Sequence, residues 1–291
     1  MELNSFQEEM RHFLPEIELR FAEPMSRHTS LRIGGPAEVM AFPKTAQELA
    51  QILQVSKNLD TKCAILGAGT NILAPDAGCR GLVICLKDCL GGMELLPGNC
   101  IRVMAGVTMA RAAVFAANHG LSGLEFAHGI PGTVGGGVYM NAGAYGGEMS
   151  GICRRVTLMD GAGQLREVNA RELEFSYRHS KLQESGEIVI SAVLQLQPAE
   201  PEEVKQKMKE LQAKRLASQP LDYPSAGSAF KRPAGGYAAA LIDQAGLRGF
   251  QVGQAAIARK HAGFAINLGG APAAEMRELL TQVSDRVFRQ T

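Results

Sequence analysis

"GIPGTVGGGVYMNAGAYGGE", residues 129–148, places eight glycines in twenty positions. Glycine loses more backbone freedom on folding than any other residue. A chain does not accumulate that cost inside a helix or strand, so the run reads as a loop whose bare backbone is closely approached. Thr133 and Asn141 add short hydrogen-bonding side chains within it. A second glycine loop, "LGAGTNI" over Leu66–Ile72, follows a short apolar run. It is no Rossmann fingerprint, because Ile72 stands where the third glycine belongs and the following "LAPDAGCRG" is no helix. No GxxxxGK[ST] stretch exists, which excludes a P-loop. Two loops with bare N–H groups hold an anion such as a pyrophosphate without needing lysine. Together they suit a dinucleotide bound in extended form; tight turns at sheet corners are the plainer alternative.

Around these loops the pattern alternates irregularly. Residues 45–58 read as a helix, capped by Thr45 with Glu48 three residues on, with Leu49, Ile52 and Leu53 on one face. Residues 63–66 and 82–86 read as strands, as do 100–105, and 108–119 as a helix opened by Thr108. "RRVTLMD", "GQLREV" and "EIVISAVLQLQ" read as antiparallel strands joined by tight turns. A helix opens at Pro201 with Glu202 and Glu203 in its first turn. Further helices are expected near 237–245 and from Pro272, with "AGFAINL" as a strand between them. Short strands and separate helices in this mixture argue an α+β fold.

The 291 residues carry 30 Lys plus Arg against 29 Asp plus Glu, a net charge of +1. No global field exists to draw nucleic acid or a membrane surface. The charged amino terminus has no signal-peptide core and no apolar run is long enough to span a bilayer, so a cytoplasmic protein without membrane insertion is expected. The six cysteines form no CxxC pair and are expected to be free, buried thiols. The six histidines lack metal-ligand spacing, and no metal is expected.

Seven ordered stretches carry a resemblance. They are "TSLRIGGP" (Thr29–Pro36), "AEVMAFPKTAQELAQIL", "LGAGTNIL", "GLEFAHGIPGTVGGGVYMNAGAYGGE", "FSYRHS", "PSAGSAFKRP" and "KHAGFAIN". From Thr29 to the final helix the chain resembles the UDP-N-acetylenolpyruvoylglucosamine reductase (UDP-N-acetylmuramate dehydrogenase) family in its shorter form. The resemblance implies a two-subdomain FAD-binding fold of the vanillyl-alcohol oxidase (PCMH) type plus a smaller α+β substrate-binding domain. The expected division is 1–87 and 88–200 for the two FAD subdomains and 201–291 for the substrate domain. It implies FAD as cofactor and NADPH as hydride donor. The reaction is reduction of the enolpyruvyl group of UDP-N-acetylglucosamine enolpyruvate to UDP-N-acetylmuramate, a step of peptidoglycan precursor synthesis. An oligomeric partner is not readable.

By this resemblance Leu66, Gly67, Ala68, Gly69, Thr70, Asn71 and Ile72, with Gly129, Pro131, Gly132, Thr133, Gly135, Gly136, Asn141 and Ala142, hold the cofactor. Tyr145 meets the nucleotide-sugar, and Arg215, Lys231 and Arg232 are candidates to neutralise its pyrophosphate. Hydride addition to the vinyl carbon leaves an enolate of the adjacent carboxylate. Arg178 suits that carboxylate, since guanidinium meets it bidentately. Ser228 suits the proton, provided nearby cations stabilise the alkoxide. Without the resemblance, Arg178 would read as a surface arginine and Ser228 as a turn serine capping its own backbone. His179 and His28 stand where relatives commonly carry aspartate and asparagine. Relatives also continue past the last helix into a segment of pattern L-E-P-E-V, whose glutamate assists the same proton transfer. The sequence given ends at "VSDRVFRQT", and a few further residues are expected in the native protein. Two other readings stand beside the reductase: an FAD-dependent oxidase of the same fold, and a flavin or nucleotide-sugar binding protein with little turnover for want of that glutamate.

Overall fold

In the computed structural model, which describes residues 3–290, the chain separates into two compact units. One comprises the chain up to Phe21, Glu38–Ala68 and Arg80–Ala213; the other comprises Ala22–Ala37, Gly69–Cys79 and the chain from Lys214 onward.

The two larger sheets of the first unit position its site. In the four-stranded sheet the order is Glu18–Pro24, Pro36–Phe42, Cys79–Cys85, Cys63–Leu66. Cys63–Leu66 runs parallel to its neighbour, with Cys63 opposite Leu82 and Leu66 opposite Cys85. The Ala46–Asn58 helix buries Leu49, Ile52 and Leu53 in one core with Val39, Ala41, Leu82 and Ile84. Thr45 caps it as expected, while the Glu48 carboxylate accepts from Lys44 N at 2.7 Å, one residue further back than a closed capping box. A helix absent from the sequence reading, Ser5–Phe13, is capped by Asn4 and Gln7 and adds Met10 to this core.

The five-stranded sheet is antiparallel, in the order Leu165–Asn169, Cys153–Met159, Ile188–Gln195, Cys100–Met104, Met93–Leu96. Its middle strand is buried almost throughout, which is why "IVISAVLQ" reads as an apolar run rather than an alternation. The Met109–Asn118 helix offers this core a face of small residues, Ala112, Ala113, Ala116 and Ala117. That face sits beside a helix which corrects the opening expectation. Val134–Tyr139, containing Gly135, Gly136 and Gly137, is helical. A Cβ on Gly135 would lie 2.8 Å from Ala105 Cβ, and one on Gly137 would lie 2.8 Å from Met109 Sδ. Close packing of helix against strand and helix outweighs the low helix propensity of glycine.

The six cysteines are free, but only Cys85 and Cys153 are buried, and Cys63 is exposed because it opens an edge strand. Burial pushes the Cys153 thiol up to about 12, leaving it unreactive.

The second unit is built on an antiparallel sheet ordered Ser225–Ser228, Phe264–Asn267, Ala255–Ile257, Gln251–Val252. Ile242 from the Ala238–Gln244 helix and Met276, Leu279 and Val283 from the Ala273–Phe288 helix share its core with Leu31 and Ile33. Pro272 gives the last helix no side-chain cap. Asp76 does so instead, its carboxylate accepting from Ala273 N at 2.6 Å and Ala274 N at 3.0 Å. Asp76→Ala is expected to cost about 0.5–2 kcal/mol, the usual loss for removing a cap, read as a lowered melting temperature of the apoprotein. An unchanged melting temperature would show that water replaces the carboxylate without cost.

Candidate functional site

In the first unit the two glycine loops meet. Thr133 is buried, and its Oγ1 accepts from Gly136 N at 3.3 Å, capping the Val134–Tyr139 helix. A Cβ on Gly67 would lie 2.7 Å from that oxygen. Leu66 is buried, Gly67 and Ala68 are half-buried, and Pro131 and Gly136 are exposed. Gly132 (φ 150°) accepts from Met109 N through its carbonyl, and Ala142 N donates to Gly137 O. Gly136 differs from its neighbours, because a Cβ there meets nothing nearer than Thr133 Oγ1 at 3.5 Å. Its missing side chain relieves no contact within the chain. In a helix it sacrifices up to about 1 kcal/mol relative to alanine. The surface it leaves bare fits a flat ligand lying on the backbone, so the residues present fit FAD.

Beyond the helix lie two tight turns. Gly143–Ala144 pairs with Gly147–Glu148, and the residues between them, Tyr145 (φ 52°) and Gly146 (φ 86°), both lie in the left-handed region. This is the two-residue I′ hairpin, which usually takes asparagine and glycine. Tyr145 stands exposed at its tip. The hairpin packs closely on Phe126, since a Cβ on Gly147 would lie 2.5 Å from that ring. The second turn is "SYRH". Ser176 N donates to His179 O at 3.1 Å and His179 N returns to Ser176 O at 3.2 Å. Arg178, at φ 56°, occupies a turn position that glycine or asparagine takes with least strain. Such outliers cluster at functional sites.

Arg178 is firmly seated. Its Nη2 donates to Gly143 O at 2.8 Å and its Nη1 to Asn141 O at 3.4 Å, with the Tyr177 ring 5.2 Å from the guanidinium. Ser180 Oγ donates to Tyr139 O at 2.7 Å and anchors the root of the turn. Gln183 Nε2 donates to Arg178 O at 3.2 Å. Asn141 is 1% exposed; its Nδ2 donates to Ser176 O and its Oδ1 accepts from Ser150 N. Both polar atoms of that side chain are thus engaged within the chain. Glu125, buried at the head of this segment, accepts from Ser122 Oγ and Gly123 N. Burial works to raise its carboxyl, but those hydrogen bonds outweigh it and hold the group below the usual range, as a structural carboxylate.

In the second unit, Gly69 (φ 62°) has no room for a side chain, since a Cβ would overlap the His28 carbonyl oxygen. Its own carbonyl accepts from Ser30 N, tying "GAGTN" to "TSLRIGG". Thr70, Asn71 and Ile72 follow in the same loop, Asn71 exposed. Ser228 ends the Ser225–Ser228 strand opposite Phe264, just past Gly227 at φ 79°. It is exposed, and its hydroxyl makes no hydrogen bond among the described residues. The plain reading of a serine capping its own turn is therefore not what the geometry shows. Lys231 is exposed, Arg232 lies 4.4 Å from the Tyr237 ring, and Arg215 is half-buried on the Pro201–Ser218 helix. His261 Nδ1 accepts from Gly263 N at 3.1 Å, and burial lowers its pKa, so the imidazole stays neutral.

Residues 219–291 match the family model "UDP-N-acetylenolpyruvoylglucosamine reductase, C-terminal domain", and residues 37–169 match that of an FAD binding domain. The UDP-N-acetylenolpyruvoylglucosamine reductase of Agathobacter rectalis is 45% identical over 288 residues, 95% of this chain and 91% of the relative. That of Lactobacillus acidophilus is 45% identical over 91% of this chain and 88% of its own. The crystal structure of the Thermus caldophilus enzyme superposes with a TM-score of 0.77 at 34% identity, covering 93% of this chain and 95% of that one. A solvent-stable cholesterol oxidase, 17% identical over 68% of this chain and 40% of its own, superposes with a TM-score of 0.52 and shares the fold alone. The architecture is the α+β, two-subdomain FAD-binding fold of the vanillyl-alcohol oxidase type with an added α+β part, and FAD is the cofactor. Among the described residues no helix is long and apolar enough to cross a membrane. The chain belongs to the UDP-N-acetylenolpyruvoylglucosamine reductase family.

Proposed function

We propose that the chain reduces the enolpyruvyl ether of UDP-N-acetylglucosamine enolpyruvate to the lactyl ether of UDP-N-acetylmuramate, with NADPH as reductant, supplying cytoplasmic peptidoglycan synthesis. The observation that carries this reading is Arg178. A cation held by two carbonyls at the tip of a strained turn keeps most of its five N–H donors for a carboxylate. In our reading FAD lies along Gly67, Ala68, Pro131, Gly132 and Gly136, with Gly69–Ile72, Gly129, Thr133, Gly135, Asn141 and Ala142 shaping the loops that hold it. The chemistry FAD supplies when bound is hydride transfer, in from NADPH and out to the vinyl carbon.

The chain's own residues do the rest. Arg178 binds the substrate carboxylate and stabilises the enolate charge that grows on it. Ser228 gives its proton to the neighbouring carbon, and Lys231 and Arg232, three and four residues on, favour the alkoxide left behind. Tyr145 and Arg215 meet the nucleotide-sugar.

The test is spectroscopic. The purified protein should show the two visible bands of an oxidised flavin, bleach under anaerobic NADPH, and regain colour on addition of the enolpyruvyl substrate with one lactyl ether formed per flavin. Return of colour only on admitting oxygen would make it an oxidase. A protein that neither carries nor takes up flavin would end this reading.

A further inference from the structure

We propose that Asn141 is the positioning residue of the site: it fixes the turn that carries Arg178 and so sets how tightly the substrate carboxylate is held. This rests on the role of Arg178 given above. Asn141 makes three hydrogen bonds to two other segments of the chain. Its Nδ2 donates to Ser176 O at 3.0 Å, its Oδ1 accepts from Ser150 N at 2.9 Å, and its main-chain oxygen accepts from Arg178 Nη1 at 3.4 Å. One residue therefore grips the Arg178 turn at its first carbonyl and receives the guanidinium at the turn's tip. Gly143, two residues on, supplies the other carbonyl to Arg178.

The requirements at this position are narrow. The backbone sits at φ 42°, where asparagine and aspartate are tolerated and most side chains are strained. The side chain is 1% exposed and must present one donor and one acceptor on a short planar group. Aspartate matches the shape but carries only acceptors when ionised. In Asn141→Asp the bond to Ser150 N survives, while a carboxylate oxygen replaces the donor facing Ser176 O. The turn is released at that point whenever the carboxyl is ionised, so the comparison is made at a pH where Asn141→Asp shows its full loss.

A double-mutant cycle separates positioning from general support. Substrate kcat/KM, and substrate Kd read from the perturbation of the flavin spectrum, are measured for the native protein, Asn141→Asp, Arg178→Ala and the double variant. Asn141→Asp should weaken substrate binding and lower kcat/KM about tenfold, through KM more than kcat, in line with coupling energies between touching residues. Arg178→Ala removes charge-assisted hydrogen bonds and should cost at least as much. The double variant should match Arg178→Ala within about twofold, because the asparagine has nothing left to position. If the double variant loses a further tenfold, Asn141 supports the fold without acting through the arginine and the inference fails. Should Asn141→Asp not fold, Asn141→Gly, which accepts the positive φ and removes both side-chain bonds, takes its place in the cycle. A native protein that binds and reduces no enolpyruvyl substrate would instead defeat the proposed function, and the two failures are thereby distinct.

Discussion

Ser228→Ala should leave the bleaching of bound flavin by NADPH at its native rate while turnover of the enolpyruvyl substrate falls by about 10²- to 10⁴-fold, the range for a lost general acid. That corresponds to roughly 3–5.5 kcal/mol of barrier at 1.36 kcal/mol per decade. The argument begins with an acid–base mismatch, because an aliphatic hydroxyl is a far weaker acid than any group that normally protonates carbon at neutral pH. It works only where the alkoxide is stabilised and where no other partner competes for the proton. We propose that both conditions are met at this serine. The hydroxyl is exposed at a strand end with no hydrogen bond among the described residues, and Lys231 and Arg232 follow in the same loop. His261, the half-buried histidine of this unit's "KHAGFAIN" stretch, is a poor substitute: burial keeps it neutral and its Nδ1 is occupied by Gly263 N. Rapid-mixing measurement of the two half-reactions separates the outcomes. Loss of both in equal proportion would remove Ser228 from the proton-transfer step and make it a structural residue.

Much of this was legible in the sequence wherever a local rule decides the structure. Thr45, Thr108 and the acid-rich opening at Pro201 mark helix starts that the structure keeps, at Ala46, Met109 and Pro201. The antiparallel strands after residue 150 follow from their apolar runs and turns. What stayed hidden depends on contacts distant in sequence. Asp76 caps a helix almost two hundred residues on, its two donors lying 197 and 198 positions away, and no local pattern marks it. Ser5–Phe13 went unread although Asn4 and Gln7 form a capping box. The Arg178 site divides the same way. Motif order singles out its arginine as a candidate, whereas the strained φ values at Asn141, Tyr145 and Arg178, and the carbonyls that seat the guanidinium, leave no trace in residue type. The glycine run misled on secondary structure, since helix propensity forbids there what close packing demands.

That run supplies the sharpest test, because adjacent glycines should answer differently. Gly135→Ala places a Cβ 2.8 Å from Ala105 Cβ, 3.2 Å from its carbonyl oxygen and 3.3 Å from its Cα, against backbone that cannot step aside. The apoprotein should lose about 1–3 kcal/mol, the usual cost of overpacking, and melt earlier whether or not flavin is present. Gly136→Ala adds the same methyl group one residue on, where nothing lies closer than 3.5 Å and the position is exposed. There the apoprotein should melt no earlier, and later by as much as alanine's helix propensity allows, up to about 1 kcal/mol. If the bare face of Gly136 is where the flavin dinucleotide rests, the overpacking moves from the fold to the complex. Flavin affinity should then fall by roughly 5- to 150-fold, which is 1–3 kcal/mol at 1.4 kcal/mol per decade. Thermal melts of the apoproteins and flavin titrations followed by fluorescence quenching read the two effects independently. A Gly136→Ala protein that binds flavin as tightly as the native chain would place the cofactor elsewhere on the unit, while one whose apoprotein is destabilised would show that this glycine, like its neighbours, serves packing.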